Sequence, residues 1–415
     1  MRWIQVASDR GTDAVQWLRS GRGTDESPES RLRVERLVEE LERKERGLFR
    51  QQVEADCGFD PGQESTLVAG SRLLRARSQV APAALENLAR RMRALRMFQL
   101  RTLPAHISFC SEGGFRIGIK SRPLRRVGIL LPRNDLALPL LLALAVPARV
   151  AGVPEILVAM APAQDGCPPP AVLAGCEALG LRRVLRLAGA PAVLALATGT
   201  EETPAADLVL GEDGLDALEC MRIIGGQPTD ATGELLVLTD GSRIDPAELA
   251  SRLLEHALLG GGGLRAVLST SADFLGKLER MLEECCQQLP RRSRPELRGT
   301  FSAHGRLLEI GSLRRGVDMI NELAPDRLFL AVRTPRKLSP MMERVGVLHI
   351  GEVGPPDSLD RLHTLGMRKG WIPTASRFLR STVTVRTAAE ARQSIPERLG
   401  AGFGSSPSVP AEESR

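Results

Sequence analysis

Tyrosine is absent from the 415 residues, and aromatic side chains of every kind make up 3% of the chain. That shortage removes the stacking platforms on which single-stranded nucleic acids are usually held. Asparagine occurs three times and lysine five times, against 51 arginines. Such biases move together when codons are rich in G and C, so the net charge of +6 and the pI of about 9.2 read as compositional. Long apolar runs are also missing. The most apolar segment, Leu136 to Ala148, is interrupted by Pro139 and Pro147 and falls short of the roughly 18 residues a membrane helix needs. The opening MRWIQVASDR lacks the charged start and apolar stretch of a secretory signal. The seven cysteines, Cys285-Cys286 among them, contain no C-x-x-C pair, so reduced thiols and no metal cluster are expected. A soluble, cytoplasmic protein without a membrane partner follows.

What is present is a rhythm. Hydrophobic residues at 43% suffice for packed cores in two or three domains. Arg31 to Val53 and Ala81 to Arg101 read as helical. From Val127 onward, short apolar runs alternate with helical segments: VGILL (127–131), EILVA (155–159), RVLRL (183–187) and ADLVL (206–210). The pattern resumes with ELLVL (234–238), RAVLST (265–270), RLLEI (306–310), RLFLAV (327–332) and VLHIG (347–351). Strands separated by helices argue parallel sheets with right-handed crossovers. The fold class expected is α/β: two tandem, incomplete Rossmann-like domains behind an N-terminal helical region. The boundaries expected are 1–121, 122–232 and 233–380, with a partly disordered tail at 381–415.

Tests for chemistry return little. The turn after the first strand, PRNDLALP (132–139), has no glycine and carries Arg133, whereas a pyrophosphate needs close backbone approach. No G-x-G-x-x-G follows a strand, and neither G-x-S-x-G nor H-E-x-x-H occurs. The run Gly260 to Gly263 lies between a helix and a strand and reads as a C-cap and loop. His349 falls in a strand and reads as packed, and His256, at the edge of the stripe through Leu249 and Leu253, as a partly buried structural residue. Residues 89–101 carry Arg90, Arg91, Arg93, Arg96 and Arg101 opposite Leu85, Leu88, Met92 and Leu95. A solvated face is expected there, and nucleic-acid binding through this helix, Arg133 and Arg327 is the weakest reading.

Seven stretches resemble histidinol dehydrogenase in order and spacing across roughly residues 30–380: PLRRVGILLP (123–132), AVPARVAGVPEILVAMAP (145–162), AGAPAVLALATGTE (188–201), GELLVLTD (233–240), ELASRLLEH (248–256), INELAPDRL (320–328) and GVLHIGE (346–352). The resemblance implies a homodimer with a swapped C-terminal segment, a zinc ion holding the amino alcohol, and two NAD molecules used in succession. Several functional positions depart from the family pattern. Asp326-Arg327 stands where the family has the water-activating Glu and the general-base His. A guanidinium cannot take a proton. Leu253 replaces a zinc-binding Gln, while His256 keeps a zinc-binding His and Asp360 corresponds to the zinc Asp, with His363 a displaced substitute. A fourth ligand has no counterpart, and the second catalytic His falls near Gly370. On the cofactor side, Leu130, Arg133-Asn134, Pro191 and Gly211-Glu212-Asp213-Gly214 replace the family residues, and Gly233 replaces a substrate-contacting Ser beside the retained Glu234.

The expected function is thus a catalytically inactive relative with a binding, assembly or regulatory role. Asp326 would be vestigial, His256 and Asp360 remnants of the metal site, and Glu234 and His256 remnants of substrate contact. No resident cofactor is expected; retention of activity would require Zn2+ and NAD. A homodimer, or a heterodimer with an active relative, is the expected assembly. Asp326-Arg327 itself is expected to be a salt-bridged or solvated pair. The alternative is a working NAD- and zinc-dependent dehydrogenase, acting on histidinol or a related amino alcohol through a rearranged site.

Overall fold

The computed structural model of the protein describes residues 4–8, 13–21, 28–43, 45–105, 107–110, 116–228, 234–258, 263–289, 291, 294–350 and 374–386. A strand, β1 (Gln5–Ser8), and a helix, α1 (Ala14–Arg19), come first. Four helices follow: α2 (Pro28–Glu42), α3 (Gly47–Cys57), α4 (Gly70–Ala76) and α5 (Pro82–Leu100). After β2 (Ile107–Cys110) and β3 (Arg116–Pro123) the alternation begins, with β4 (Arg126–Leu131), α6 (Ala137–Val150), β5 (Glu155–Met160), α7 (Pro170–Ala178), β6 (Arg183–Leu185), α8 (Gly189–Thr198), β7 (Leu208–Gly211), α9 (Gly214–Ile224) and β8 (Gln227–Pro228). The second series is β9 (Leu235–Thr239), α10 (Pro246–Leu258), β10 (Arg265–Ser269), α11 (Ala272–Gln288), α12 (Arg294–His304), β11 (Gly305–Glu309), α13 (Leu313–Leu323), β12 (Arg327–Ala331), α14 (Pro335–Leu338) and β13 (Val347–Ile350). The last described element is β14 (Leu379–Arg386).

Each apolar run read from the sequence forms a strand. The first sheet has the order β6-β5-β4-β7-β8 and the second β1-β11-β10-β9-β12-β13. Numbered within their own series, both follow 3-2-1-4-5, a doubly wound order lacking the sixth strand, and the pairings are parallel. The incomplete Rossmann-like expectation is therefore met twice.

The apolar stretch at 136–148 is α6, buried from Leu140 to Ala148 with Pro147 in its last turns. A helix that is apolar on every side belongs in a core. Among the described residues, no helix is long and apolar enough to cross a membrane. On the second sheet, Leu235, Val237, Val267, Leu307 and Phe329 pack against α10, α11 and α12. The alternate strand positions Leu236, Leu238, Ala266 and Leu308 pack against α1 and α13.

Two expectations about boundaries differ from the structure. Residues 1–121 were expected to be a helical region, yet Gln5–Ser8 adds a parallel edge strand to the second sheet, pairing with Arg306–Glu309. Four residues carry no detectable period, so only the open edge of β11 decides their conformation. Among the described residues, 104–105, 107–110, 116–122 and 379–386 form a separate unit, in which β14, β3 and β2 make a small sheet. A strand, Leu379–Arg386, thus runs across the expected start, at 381, of the partly disordered tail. Residues 387–415 lie outside the described residues.

Candidate functional site

In a doubly wound sheet, ligands enter where the strand order reverses, at the carboxyl ends. In the first sheet that point lies between β4 and β7. Gly211 ends β7 at φ 126°, and a Cβ there would fall 1.9 Å from the Leu130 carbonyl oxygen, so glycine lets the two strand ends close up. The Glu212 N–H donates to that carbonyl at 3.3 Å. Asp213 follows, and its Oδ2 accepts the N–H of Gly189 at the start of α8, at 2.8 Å. From the β4 loop, Arg133 Nε approaches Asp213 Oδ1 at 4.0 Å. Burial pushes the Asp213 carboxyl above its usual range, against the Gly189 N–H and the Arg133 guanidinium, which pull it down. Burial likewise lifts the nearby Cys57 thiol to about 11, so it is not a ready nucleophile.

The helix N-terminus that could face a pyrophosphate is thus taken by the chain's own carboxylate, with a guanidinium beside it. These residues do not fit a dinucleotide. The second sheet reverses between β9 and β12, where Asp240 accepts from the backbone N–H of Arg333 and of Ser242, each at 3.0 Å. Burial alone would raise the Asp240 carboxyl, but its hydrogen bonds to Ser242 and Arg333 hold it below the usual range.

The described residues singled out for the site, Glu234, His256 and Asp326, lie at the opposite, amino edge of the second sheet. Arg327 opens β12 and precedes the Leu328–Leu236 pair, so it lies beside Leu235, and Asp326 beside Glu234. On the other side of β9, Arg265 pairs with Leu235. Arg265 and Arg327 therefore occupy one rung and face the α10–α12 layer, 1% and 2% exposed. His256, in the last turn of α10, is 2% exposed, and its backbone carbonyl accepts from Arg265 Nη2 at 3.3 Å. The backbone here is committed: Pro325 and Asp326 carbonyls accept from Gly346 and Val347 at 3.1 and 2.8 Å. His349 stacks on Phe329 with centroids 4.4 Å apart, in keeping with a packed strand histidine.

Of the two alternatives expected for Asp326-Arg327, a salt-bridged or a solvated pair, the solvated one is corrected by this placement. Asp326 is half-buried and Arg327 is interior, because the first rung of β12 already lies under the α10–α12 layer. Arg327 is thereby withdrawn from the protein surface. His256 is more deeply buried than the partial burial expected of it.

Asp360, His363 and Gly370 lie outside the described residues, as do Gly233 and Gly260 to Gly262. Among the described residues, no group of three or more His, Cys, Asp and Glu side chains could hold a metal ion. Leu253, 1% exposed, supplies no donor where the resemblance expects Gln, and two interior guanidinium groups bring positive charge to the same layer. The described donors do not fit zinc. Sequence reasoning missed the Asp213–Gly189 contact and the shared interior rung of Arg265 and Arg327. An arginine opening each of two apolar strands was the available signal.

The sequence model of the family described as "Histidinol dehydrogenase" matches residues 21–365. The histidinol dehydrogenase of Deinococcus radiodurans is 36% identical over 286 residues, 66% of this chain and 64% of that protein. That of Thermotoga maritima is 30% identical over 280 residues, 66% of this chain and 65% of the other. The matched part of the chain spans just under two thirds of these relatives. A crystal structure of histidinol dehydrogenase from Elizabethkingia anophelis superposes with a TM-score of 0.79 at 18% identity, covering 95% of this chain and 92% of that one, a likeness of fold.

Proposed function

This chain belongs to the histidinol dehydrogenase family, and from that premise we propose that it is a catalytically inactive member, retaining the scaffold for binding, assembly or regulation. The observation that carries the reading is Arg327, interior at the family's general-base position, with Arg265 on the same rung. A guanidinium stays protonated at any working pH and cannot accept a proton. Two such cations oppose a divalent ion unless carboxylates outnumber them. The internal Asp213 carboxylate at the start of α8 supports the same reading from the nucleotide side. The role proposed is that of a homodimer, or of a partner subunit to an active relative.

A second reading has one observation in its favour. Glu234, Asp326 and His256 still converge on a single sheet edge, as the remnant of a dehydrogenase site would. The two are separated by metal analysis and turnover on the same full-length preparation. Inactivity predicts well under about 0.1 zinc per chain after dialysis and no NADH from histidinol and NAD. About one zinc per chain, lost on His256→Ala, together with NADH formation, would establish the dehydrogenase instead.

A further inference from the structure

A groove of about 660 Å³ runs between α5 and α7 over the buried helix α6. Its floor is apolar, built from Leu85, Leu88, Met92, Val146, Ala174 and Leu179. Its rim is cationic: Arg77, Arg93, Arg96 and Arg149 lie along it against one carboxylate, Glu177. The solvated-face reading of α5 accounts for neither this floor nor this concavity.

The arginines are not equivalent. Arg149 donates to the carbonyls of Leu179 and Gly180 at 3.1 and 2.8 Å, which ties α6 to the end of α7. Arg77 lies 4.0 Å from Glu177. Arg93 and Arg96 are one turn apart on α5, exposed, and have no carboxylate or carbonyl partner among the described residues. Residues three apart on a helix are neighbours, so both guanidinium groups can meet one anion at the groove's edge.

We propose that this groove binds a monomeric amphiphile with an acyl chain and a terminal carboxylate. The chain would lie over Leu88, Met92 and Ala174, and the carboxylate would lie between Arg93 and Arg96. The volume falls within the range of roughly 300–1,000 Å³ typical of small-ligand sites. An apolar body with a single anionic end matches the division between floor and rim. An acidic protein helix would need contact area well beyond this groove, about 800 Å² on each partner. The site shares no residue with the switch points or with the amino edge of the second sheet, so it stands whether or not the chain is catalytic.

The test is calorimetric titration of the full-length protein with decanoate and dodecanoate below their micellar concentrations and with dodecanol below its solubility limit. Binding of the carboxylates should tighten about fourfold for each added methylene, and dodecanoate should bind about tenfold tighter than dodecanol. Arg93→Gln/Arg96→Gln should erase the preference for the carboxylate while leaving the alcohol's affinity unchanged. Ala178→Trp, on the exposed side of α7, should block both ligands. Equal affinity for acid and alcohol, or no dependence on chain length, would overturn the proposal. So would binding confined to anionic phospholipid vesicles or to an acidic amphipathic peptide, which would make the face a membrane or protein contact.

Discussion

Asp213 and Glu202 both occupy loops around the first sheet, yet acid acts on them with opposite sign. Burial raises the Asp213 carboxyl, and its hydrogen bond from Gly189 does not fully offset this. A group raised on folding contributes stability below its unfolded pKa and loses that contribution as pH rises through the folded value. Wherever Asp213 is ionised in the folded protein, its charge is therefore a net burden. Asp213→Asn keeps an oxygen for Gly189 and should stabilise the protein by up to about 1 kcal/mol at pH 7, with the gain vanishing as pH falls below the carboxylate range. Glu202 is the reverse case. Burial alone would raise it, but Ser65 Oγ, Thr66 Oγ1 and the Thr66 N–H donate to it and hold it low. Its contribution is present above the unfolded pKa and is lost as pH falls through the folded one. Glu202→Gln should cost of order 1 kcal/mol at neutral pH, because the site is solvent-screened, and should approach wild type in acid. Urea midpoints of both variants between pH 3 and pH 8 check the two signs; parallel curves for either variant would contradict the argument.

The end of α13 shows how one element is stopped and aimed. Its buried stripe of Val317, Ile320 and Leu323 packs on the second sheet. It ends at Ala324, whose φ of 51° is the one left-handed non-glycine conformation among the described residues, with its N–H donating to Ile320 at 2.8 Å. Pro325 then prevents continuation and the chain enters β12 at Arg327. An L-residue in this region costs roughly 1–2 kcal/mol, while glycine costs about 0.5–1 kcal/mol through the unfolded state. Ala324→Gly should accordingly stabilise by about 0.5–1 kcal/mol, read from the urea midpoint at unchanged slope. A loss of stability would mean that Ala324 contributes packing exceeding its strain. The break at Ala-Pro was legible in the residues, since proline disfavours a continuing helix. The burial of the following arginine was not, because that depends on three helices, α10 to α12, arriving from elsewhere in the chain.

Across the whole molecule, β1 is the clearest long-range dependence. Gln5–Ser8 pairs with Arg306–Glu309, about 300 residues later, and α1 brings Trp17 to within 5.3 Å of the Arg306 guanidinium. Removal of residues 1–8 should leave Gly305–Glu309 as a bare edge. Hydrogen exchange there should rise by at least about tenfold while β4 and β5 keep their protection. Unchanged exchange in β11 would show that the edge strand contributes nothing to that sheet. The sequence alone determined the apolar strands of the two parallel sheets, though not the edge strands β1 and β8, because runs of Val, Leu and Ile at crossover spacing have few other ways to be buried. It also determined that a guanidinium and not an imidazole stands at position 327, since a side chain's ability to take a proton is written in its type. Tertiary structure decided the rest. Only the shared register of β10, β9 and β12 places Arg265 and Arg327 on one interior rung, and only the closure of β4 against β7 brings the Asp213 carboxylate to the start of α8. Register and closure arise from packing between segments distant in the chain, which no local pattern encodes.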